Sequence, residues 1–251
     1  MKHADFVHLH NHSDYSMLDG AVTIARMDAP LLEYTGGYLA WSEGAHNVRI
    51  PIVVRPVALA APVEVTGSYE VTFGYDGAFS ATPRGLIPAD TLDDEISTGE
   101  MNGYGFVIPE GTTYFRASLF DEYVTSATDL DLYLYRCDAS WTCLTVVSYS
   151  GNITSREEVN ALNPIAGNYA VFVEGYATSN PSTYTLFSWL LGGADAGNMI
   201  VTAPTTAILG GTGVIDLSFT GLLPGTKYLG SIAYDGAAGL PNPTIVRVDT
   251  P

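Results

Sequence analysis

Alternating histidines near the start of the chain are the residues best suited to holding a transition metal. His8, His10 and His12 are separated by single residues, so an extended strand places their imidazoles on one face. Neutral imidazole together with an acidic side chain is a ligand set for zinc or manganese. A His-rich surface segment that binds metal only weakly is the alternative.

Asp129 and Asp131 are candidate ligands for a different metal, calcium. They share one face of a predicted strand and follow directly after a turn. Calcium takes about six to eight oxygen ligands, often from Asp side chains, loop carbonyls and water. With Asp121 and Glu122, or Asp76, as further ligands, this pattern predicts a structural calcium site. No EF-hand spacing occurs, and ordinary solvated carboxylates are the alternative.

Tyr133 and Tyr135 are candidate binding residues, since they lie on the strand face opposite the leucines of the same segment. A row of tyrosines on the face of a sandwich can stack on sugar rings or lie along a polypeptide. The alternative is that these rings cover a second sheet or the segment 31–56.

Cys137 and Cys143 are the two cysteines of the chain, and they bracket a short loop. In an oxidising compartment a disulfide would close this loop at a strand end, and the chain-entropy model gives it roughly 2 kcal/mol. Reduced thiols are the alternative. The spacing excludes a catalytic C-x-x-C motif.

The distribution of histidine argues against histidine-based catalysis in most of the chain. A Ser-His-Asp triad requires a histidine as general base, and no histidine follows His46. The chain has no G-x-S-x-G, P-loop or H-E-x-x-H motif either. The sequence therefore predicts that the part of the chain after His46 has a binding or supporting role and is not an enzyme.

The elements that position these residues are predicted to be strands. Residues 129–137 alternate strictly, with Leu130, Leu132 and Leu134 on one face, which is typical of a half-buried antiparallel strand. Short strands separated by Gly, Pro and Asn predict an all-β fold, an antiparallel β-sandwich or jelly-roll. Further segments with this alternation are 115–119, 169–173 and 184–190.

Charge and composition restrict the partners. The 251 residues include 10 Lys and Arg against 27 Asp and Glu, a formal net charge of −17. This balance argues against nucleic acid, whose phosphates are bound through Lys and Arg. No apolar run reaches the roughly 18 residues of a transmembrane helix. Abundant Tyr and Gly with little Lys indicate a secreted protein, although Met1–Leu9 lacks the apolar core of a signal peptide.

The first 27 residues resemble a known domain opening. The run from Asp5 to Ala21 is similar to the start of the PHP (polymerase and histidinol phosphatase) domain of the bacterial DNA polymerase III alpha subunit. This resemblance implies that His10, His12 and Asp19 are metal ligands. It ends before residue 30, and the chain has too few later histidines to complete the metal cluster of that family.

The rest of the chain resembles the region after the catalytic domain of secreted subtilisin-like serine proteases. Residues 41–54, Trp-Ser-Glu-Gly-x-His-x-Val-Arg-x-Pro-Ile-Val-Val, are similar to the last hairpin of a fibronectin type III-like domain. The Asp-Leu-Tyr-Leu-Tyr strand, a Ser-rich loop and Asn-Pro-x-x-Gly-x-Tyr at 163–169 resemble a pre-peptidase C-terminal domain. Leu-x-Pro-Gly-Thr-x-Tyr at 222–228 resembles the tyrosine corner of fibronectin-like modules.

These resemblances predict four units along the chain. They are a PHP-like fragment at 1–27 that does not form a domain, a fibronectin-type hairpin at 28–56, a β-sandwich at 57–195 and a small fibronectin type III-like module at 196–251.

The resemblance implies a non-catalytic accessory region that stabilises a secreted protease or attaches it to material. The partner would be a protein or cell-surface substrate, or a cognate protease domain, with structural calcium as the one candidate cofactor. Two alternatives stay open. One is a metal-dependent PHP-type polymerase fragment, and the other is a carbohydrate- or surface-adhesion sandwich.

Overall fold

The computed structural model describes residues 30–43, 46–125, 128–178 and 181–251. Throughout these ranges the regular structure is β-strand, apart from one 3₁₀ turn at Asp121–Tyr123. The all-β class predicted from sequence periodicity is confirmed. The described residues contain no helix long and apolar enough to cross a membrane.

The strands of these residues are numbered in chain order. The first ten are β1 (Thr35–Glu43), β2 (His46–Val54), β3 (Leu59–Ala60), β4 (Glu64–Val65), β5 (Tyr69–Phe73), β6 (Gly77–Ala78), β7 (Ser80–Pro88), β8 (Asp90–Ile96), β9 (Met101–Ile108) and β10 (Tyr114–Ser118). The others are β11 (Asp129–Cys137), β12 (Cys143–Ser150), β13 (Glu158–Leu162), β14 (Gly167–Ala177), β15 (Ser182–Leu191), β16 (Met199–Thr202), β17 (Thr206–Ala207), β18 (Thr212–Phe219), β19 (Lys227–Asp235) and β20 (Thr244–Asp249).

Strands β1 and β2 form a separate antiparallel hairpin. Their register runs from Thr35 opposite Val54 to Glu43 opposite His46. In the described sheets these two strands pair with each other and with no third strand. Val48 and Val53 are more than half exposed, as expected when a two-stranded sheet has no covering layer.

Strands β8 to β15 form what we call the central sandwich. One sheet has the order β13-β10-β15-β8 and the other has the order β12-β11-β14-β9, with all neighbours antiparallel. The inward leucines of β11 meet the inward residues of the opposite sheet, where Phe115 and Leu186 are buried. Leu130, Leu132 and Leu134 are fully buried, which places the other face of β11 outward, as the alternation predicts.

Strands β3 to β7 and β16 to β20, which precede and follow β8 to β15 in the chain, form what we call the outer sandwich. Its sheets have the orders β16-β18-β5-β3 and β4-β20-β19-β7, and β6 pairs with β17. The predicted grouping of residues 57–88 with the central sandwich is therefore wrong, because these residues pair with strands between 199 and 249. The separate module predicted at 196–251 takes about half of its strands from before the central sandwich.

The tyrosine-corner turn lies where the sequence pattern places it. The Tyr228 hydroxyl accepts a hydrogen bond from the backbone N–H of Leu223 at 2.9 Å. Tyr228 is buried in the core of the outer sandwich together with Phe73 and Ile215. The turn therefore fixes the entry of β19 into its sheet.

The two sandwiches share a third hydrophobic cluster. Phe187, Trp189 and Leu191 project from the outer face of β15 and pack with Leu229 and Ile245 of the outer sandwich. All five are nearly or fully buried. This contact covers the outer face of one central sheet and leaves the tyrosine-bearing sheet on the opposite side.

Candidate functional site

The outward face of sheet β12-β11-β14-β9 carries a continuous row of aromatic side chains. Tyr149 on β12, Tyr133 and Tyr135 on β11, and Phe172 on β14 follow one another across the strands. The register explains this, since Tyr133 lies opposite both Tyr149 and Phe172. We call these four residues the tyrosine face. The structure thus brings Tyr133 and Tyr135 into one aromatic surface.

Ring contacts hold the tyrosine face together. The centroids of Tyr149 and Tyr133 lie 4.8 Å apart, those of Tyr133 and Tyr135 lie 6.5 Å apart, and Phe172 meets Tyr135 edge-on at 5.5 Å. Tyr149 is 55 % exposed while Tyr133 and Tyr135 are half-buried between their neighbours. Among the described residues, the ring contacts of these tyrosines are with one another and with Phe172, and the exposed part of the Tyr149 ring is open to a ligand.

Glycines on β9 extend this surface. A Cβ at Gly103 would lie 2.7 Å from the Phe172 ring, and one at Gly105 would lie 2.8 Å from the Trp141 ring. Side chains at these positions would displace the aromatic rings that lie over them. Trp141, in the β11–β12 loop, is 45 % exposed and extends the aromatic surface beyond Phe172. The strand alternation could not indicate Trp141, because this residue lies in a loop between two strands.

Acidic side chains border the tyrosine face at one end. Asp129, Asp131, Tyr149, Gly151 and Asn152 line a shallow cleft, which we call the acidic cleft, with a volume of about 530 Å³. Asp131 on β11 lies opposite Glu174 on β14, two residues along the strands from the pair Tyr133 and Phe172. The carboxylates therefore lie next to the aromatic rings on the same two strands. The predicted pair Asp129 and Asp131 thus lies at one site.

Burial and like charge act together on Asp131. Desolvation raises the pKa of its carboxyl, and the negative charges of Asp129, Glu157 and Glu174 raise it further. The pKa of the neighbouring Tyr133 hydroxyl is also raised, first by desolvation and then by its hydrogen bond to Glu174. The cleft is therefore a region of concentrated negative charge.

Two acidic residues behind the cleft have structural partners. Glu157 is 1 % exposed and accepts hydrogen bonds from the Ser150 hydroxyl and from the backbone and side-chain amides of Asn152. Glu174 accepts a hydrogen bond from the Tyr133 hydroxyl at 2.7 Å. These contacts fix the loop after β12 and the orientation of the tyrosine ring.

The other predicted calcium ligands are not all at this site. Asp76 accepts a hydrogen bond from the backbone N–H of Leu209 in the outer sandwich, and Glu122 pairs with Lys227. Neither carboxylate is among the residues that line the acidic cleft. Asp121 lines a neighbouring cleft that also includes Asp129. Among the described residues, no group of three or more His, Cys, Asp and Glu side chains is arranged to hold a metal.

The remaining sequence predictions fall in different parts of the chain. Cys137 and Cys143 form a disulfide that closes the β11–β12 loop, with their Cα atoms 3.9 Å apart. His10, His12 and Asp19 lie outside the described residues, and their metal-binding role stays a prediction.

The acidic run at 93–95 belongs to the edge strand β8. The Asp94 carboxylate accepts hydrogen bonds from Tyr104 at 2.7 Å and from Asn102 at 3.4 Å. The Tyr104 hydroxyl also bonds that of Tyr184. Asp94 is therefore tied to a tyrosine pair between the two central sheets, while its strand forms the edge.

Comparison with known proteins gives distant structural neighbours. No family model matches the chain, and no curated protein sequence matches it. A periplasmic inhibitor of g-type lysozyme from Aeromonas hydrophila, PliG, aligns at a TM-score of 0.28 and 9 % identity, covering 42 % of this chain and 89 % of that one. The M60 catalytic domain with two CBM51 domains from Clostridium perfringens ZmpB aligns at 0.26 and 9 %, covering 89 % of this chain and 27 % of that one. At these scores the likeness supports no functional argument.

Proposed function

We propose that residues 31–251 are the non-catalytic accessory region of a secreted subtilisin-like serine protease and bind proteinaceous or cell-surface material. The observation that carries the binding role is the tyrosine face, an aromatic row across three adjacent strands of an uncovered sheet. The connection to a protease rests on the sequence resemblance of the hairpin, the central sandwich and the tyrosine-corner turn.

The chemistry of the tyrosine face suits a polypeptide. Tyr and Trp offer large, rigid apolar area with a polar edge, and such residues dominate binding energy at protein interfaces. Leu144 and Val146 on the adjacent edge strand β12 are more than half exposed and enlarge the apolar surface. Acidic residues at one end would favour a ligand segment that carries Lys or Arg.

Co-sedimentation with insoluble protein tests this proposal. The purified chain should pellet with particulate collagen, elastin or keratin, and the double variant Tyr133→Ala and Tyr149→Ala should weaken this binding at least tenfold. Tyr34→Ala, which removes a tyrosine that is 78 % exposed outside the central sandwich, is the matched control and should bind as the wild type does. Equal binding by the double variant would contradict the proposed surface.

A carbohydrate is the second candidate ligand, because carboxylates next to aromatic rings can accept hydrogen bonds from sugar hydroxyls. Asp131 and Glu174 lie beside the tyrosine face in this way. Binding to a glycan array or to insoluble polysaccharide, lost in the same double variant and without binding to protein particles, would favour this ligand.

A protease assay tests the non-catalytic part of the proposal. The chain alone should leave casein intact. Cleavage of casein that a serine-protease inhibitor blocks would contradict it.

A further inference from the structure

The acidic cleft gathers negative charge without a basic partner. Asp129 and Asp131 line it, and the charges of Glu157 and Glu174 act on Asp131. In the described part of the chain, ion pairs join Lys and Arg to other acidic residues, namely Glu64, Glu122, Glu158 and Asp249. Side chains at the cleft itself therefore leave its charge uncompensated.

Two of these carboxylates also lack hydrogen-bond donors. Asp131 is only 7 % exposed and lines the cleft, yet no described residue donates a hydrogen bond to it. Asp129 has one buried carboxylate oxygen, Oδ1, with no partner. Glu157 and Glu174, by contrast, accept hydrogen bonds from the protein. A buried carboxylate without donors or a counter-charge is costly, so a ligand that supplies positive charge would stabilise this arrangement.

We propose that the acidic cleft binds a divalent cation of the calcium type through Asp129 and Asp131. Calcium accepts neutral oxygens and water beside carboxylates to complete its shell, so two carboxylates can begin such a site. The Tyr149 hydroxyl and the Asn152 side chain line the same cleft and are available as such oxygens. Zinc, in contrast, favours compact sets of about four nitrogen and sulfur ligands.

Gly151 supports this assignment by its position. A Cβ there would overlap the Tyr149 hydroxyl and come within 3.1 Å of the Asp131 carboxylate carbon. Glycine therefore lets the main chain pass close to both groups. This close approach brings the Gly151 main chain beside the Asp131 carboxylate, where a calcium ion requires oxygens.

Calorimetric titration of the full chain with calcium tests the proposal. We expect one calcium ion per chain with weaker binding of magnesium, which requires a more rigid octahedral site. At calcium concentrations about 100-fold above Kd, the melting temperature should rise by about 5 to 10 °C over that in EDTA. Calcium is the chosen probe because the histidines near the chain start suit softer metals.

Two variants assign the effect to the cleft. Asp131→Asn and Asp129→Asn remove one charge each while keeping the side-chain shape, and each should abolish the calcium-dependent rise. Asp216→Asn, at an exposed position on β18, makes the same charge change and should keep it. If the wild type binds no calcium at millimolar concentration, or Asp131→Asn responds as the wild type does, the proposal is overturned. Because calcium binding is measured without a macromolecular ligand, this outcome is independent of the co-sedimentation result.

Discussion

Arg116 carries a positive charge into the contact between the two sandwiches. Its side chain is 4 % exposed, and its Nη2 atom lies 2.6 Å from the Glu64 carboxylate and 2.9 Å from that of Glu158. Its Nε donates to Asn160 at 2.8 Å. Glu64 belongs to β4 of the outer sandwich and Glu158 to β13 of the central one. One guanidinium therefore connects both units.

Removing this guanidinium should be costly. Arg116→Ala leaves Glu158 without its counter-charge and Glu64 with only Arg247 at 3.7 Å, but each carboxylate is about one-third exposed and keeps some hydration. We therefore expect the free energy of unfolding to fall by about 2 kcal/mol, less than for fully buried pairs. Urea denaturation measures this. Arg136→Ala, at an exposed arginine on β11, should change stability by less than about 0.5 kcal/mol, and equal losses in both variants would contradict the prediction.

Glu122 should give the protein a small, pH-dependent stability. Desolvation alone would raise its pKa, but its backbone hydrogen bond, the hydrogen bond from Lys227 and the charges of Lys227 and Arg156 outweigh this and lower it. A carboxyl with a lowered folded-state pKa stabilises the fold above its unfolded pKa, here near 4.5, and loses this stabilisation as the pH falls through the folded-state value.

Glu122→Gln should therefore reduce the free energy of unfolding at pH 7 by less than about 1 kcal/mol, since the Glu122 side chain is half exposed. The difference from the wild type should vanish near pH 2. Denaturation at several pH values measures this, with the exposed Glu110→Gln as control. A difference that persists at pH 2 would show that packing, and not charge, is responsible.

At the scale of single elements, local alternation predicted orientation well. On β11 the three leucines face the core, and Tyr133 and Tyr135 face outward as expected. The aromatic partners of these tyrosines could not be predicted. Tyr149 and Phe172 come from other strands, and only the register places them next to Tyr133.

Strand β15 carries apolar residues on both of its faces. Tyr184 and Leu186 face the central core, while Phe187, Trp189 and Leu191 face the outer sandwich. Apolar residues on both faces are typical of a strand that is covered on both sides. The pattern therefore indicated that a second layer covers this strand, but it could not predict which strands form that layer.

The Cys137–Cys143 disulfide should stabilise the end of the β11–β12 hairpin. It closes a loop with a sequence separation of six residues, for which loss of unfolded-state entropy gives roughly 2 kcal/mol. The double variant Cys137→Ser and Cys143→Ser should be less stable by about this amount in guanidinium denaturation. A reducing agent should lower the stability of the wild type to that of the variant and leave the variant unchanged. Insensitivity of the wild type to reduction would argue against the stabilising role.

At the scale of the whole molecule, the central sandwich is an insertion into the outer one. Strand β8 begins at Asp90, which pairs with Ser188 near the end of β15, so the chain enters and leaves the central sandwich side by side. The Gly85 N–H donates to the Ala194 carbonyl just outside it. The outer sandwich joins partners such as Val71 and Gly213 across the insertion. Sequence periodicity is local, so it could not predict these pairings.

The shared cluster around Trp189 should make the two sandwiches unfold together. Trp189 is 2 % exposed, packs with Leu229 and Ile245, and donates from Nε1 to the Lys227 carbonyl at 3.3 Å. Trp189→Ala would leave a cavity and should cost about 3 to 5 kcal/mol. The loss falls on the contact between the sandwiches. We therefore expect calorimetry to show one unfolding transition for the wild type and two separate transitions for Trp189→Ala. Trp141→Ala, at a residue 45 % exposed, should leave the coupling intact. If Trp189→Ala keeps the wild-type transition and midpoint, the two sandwiches are held together by their chain crossings and by Arg116, and the apolar contact is dispensable.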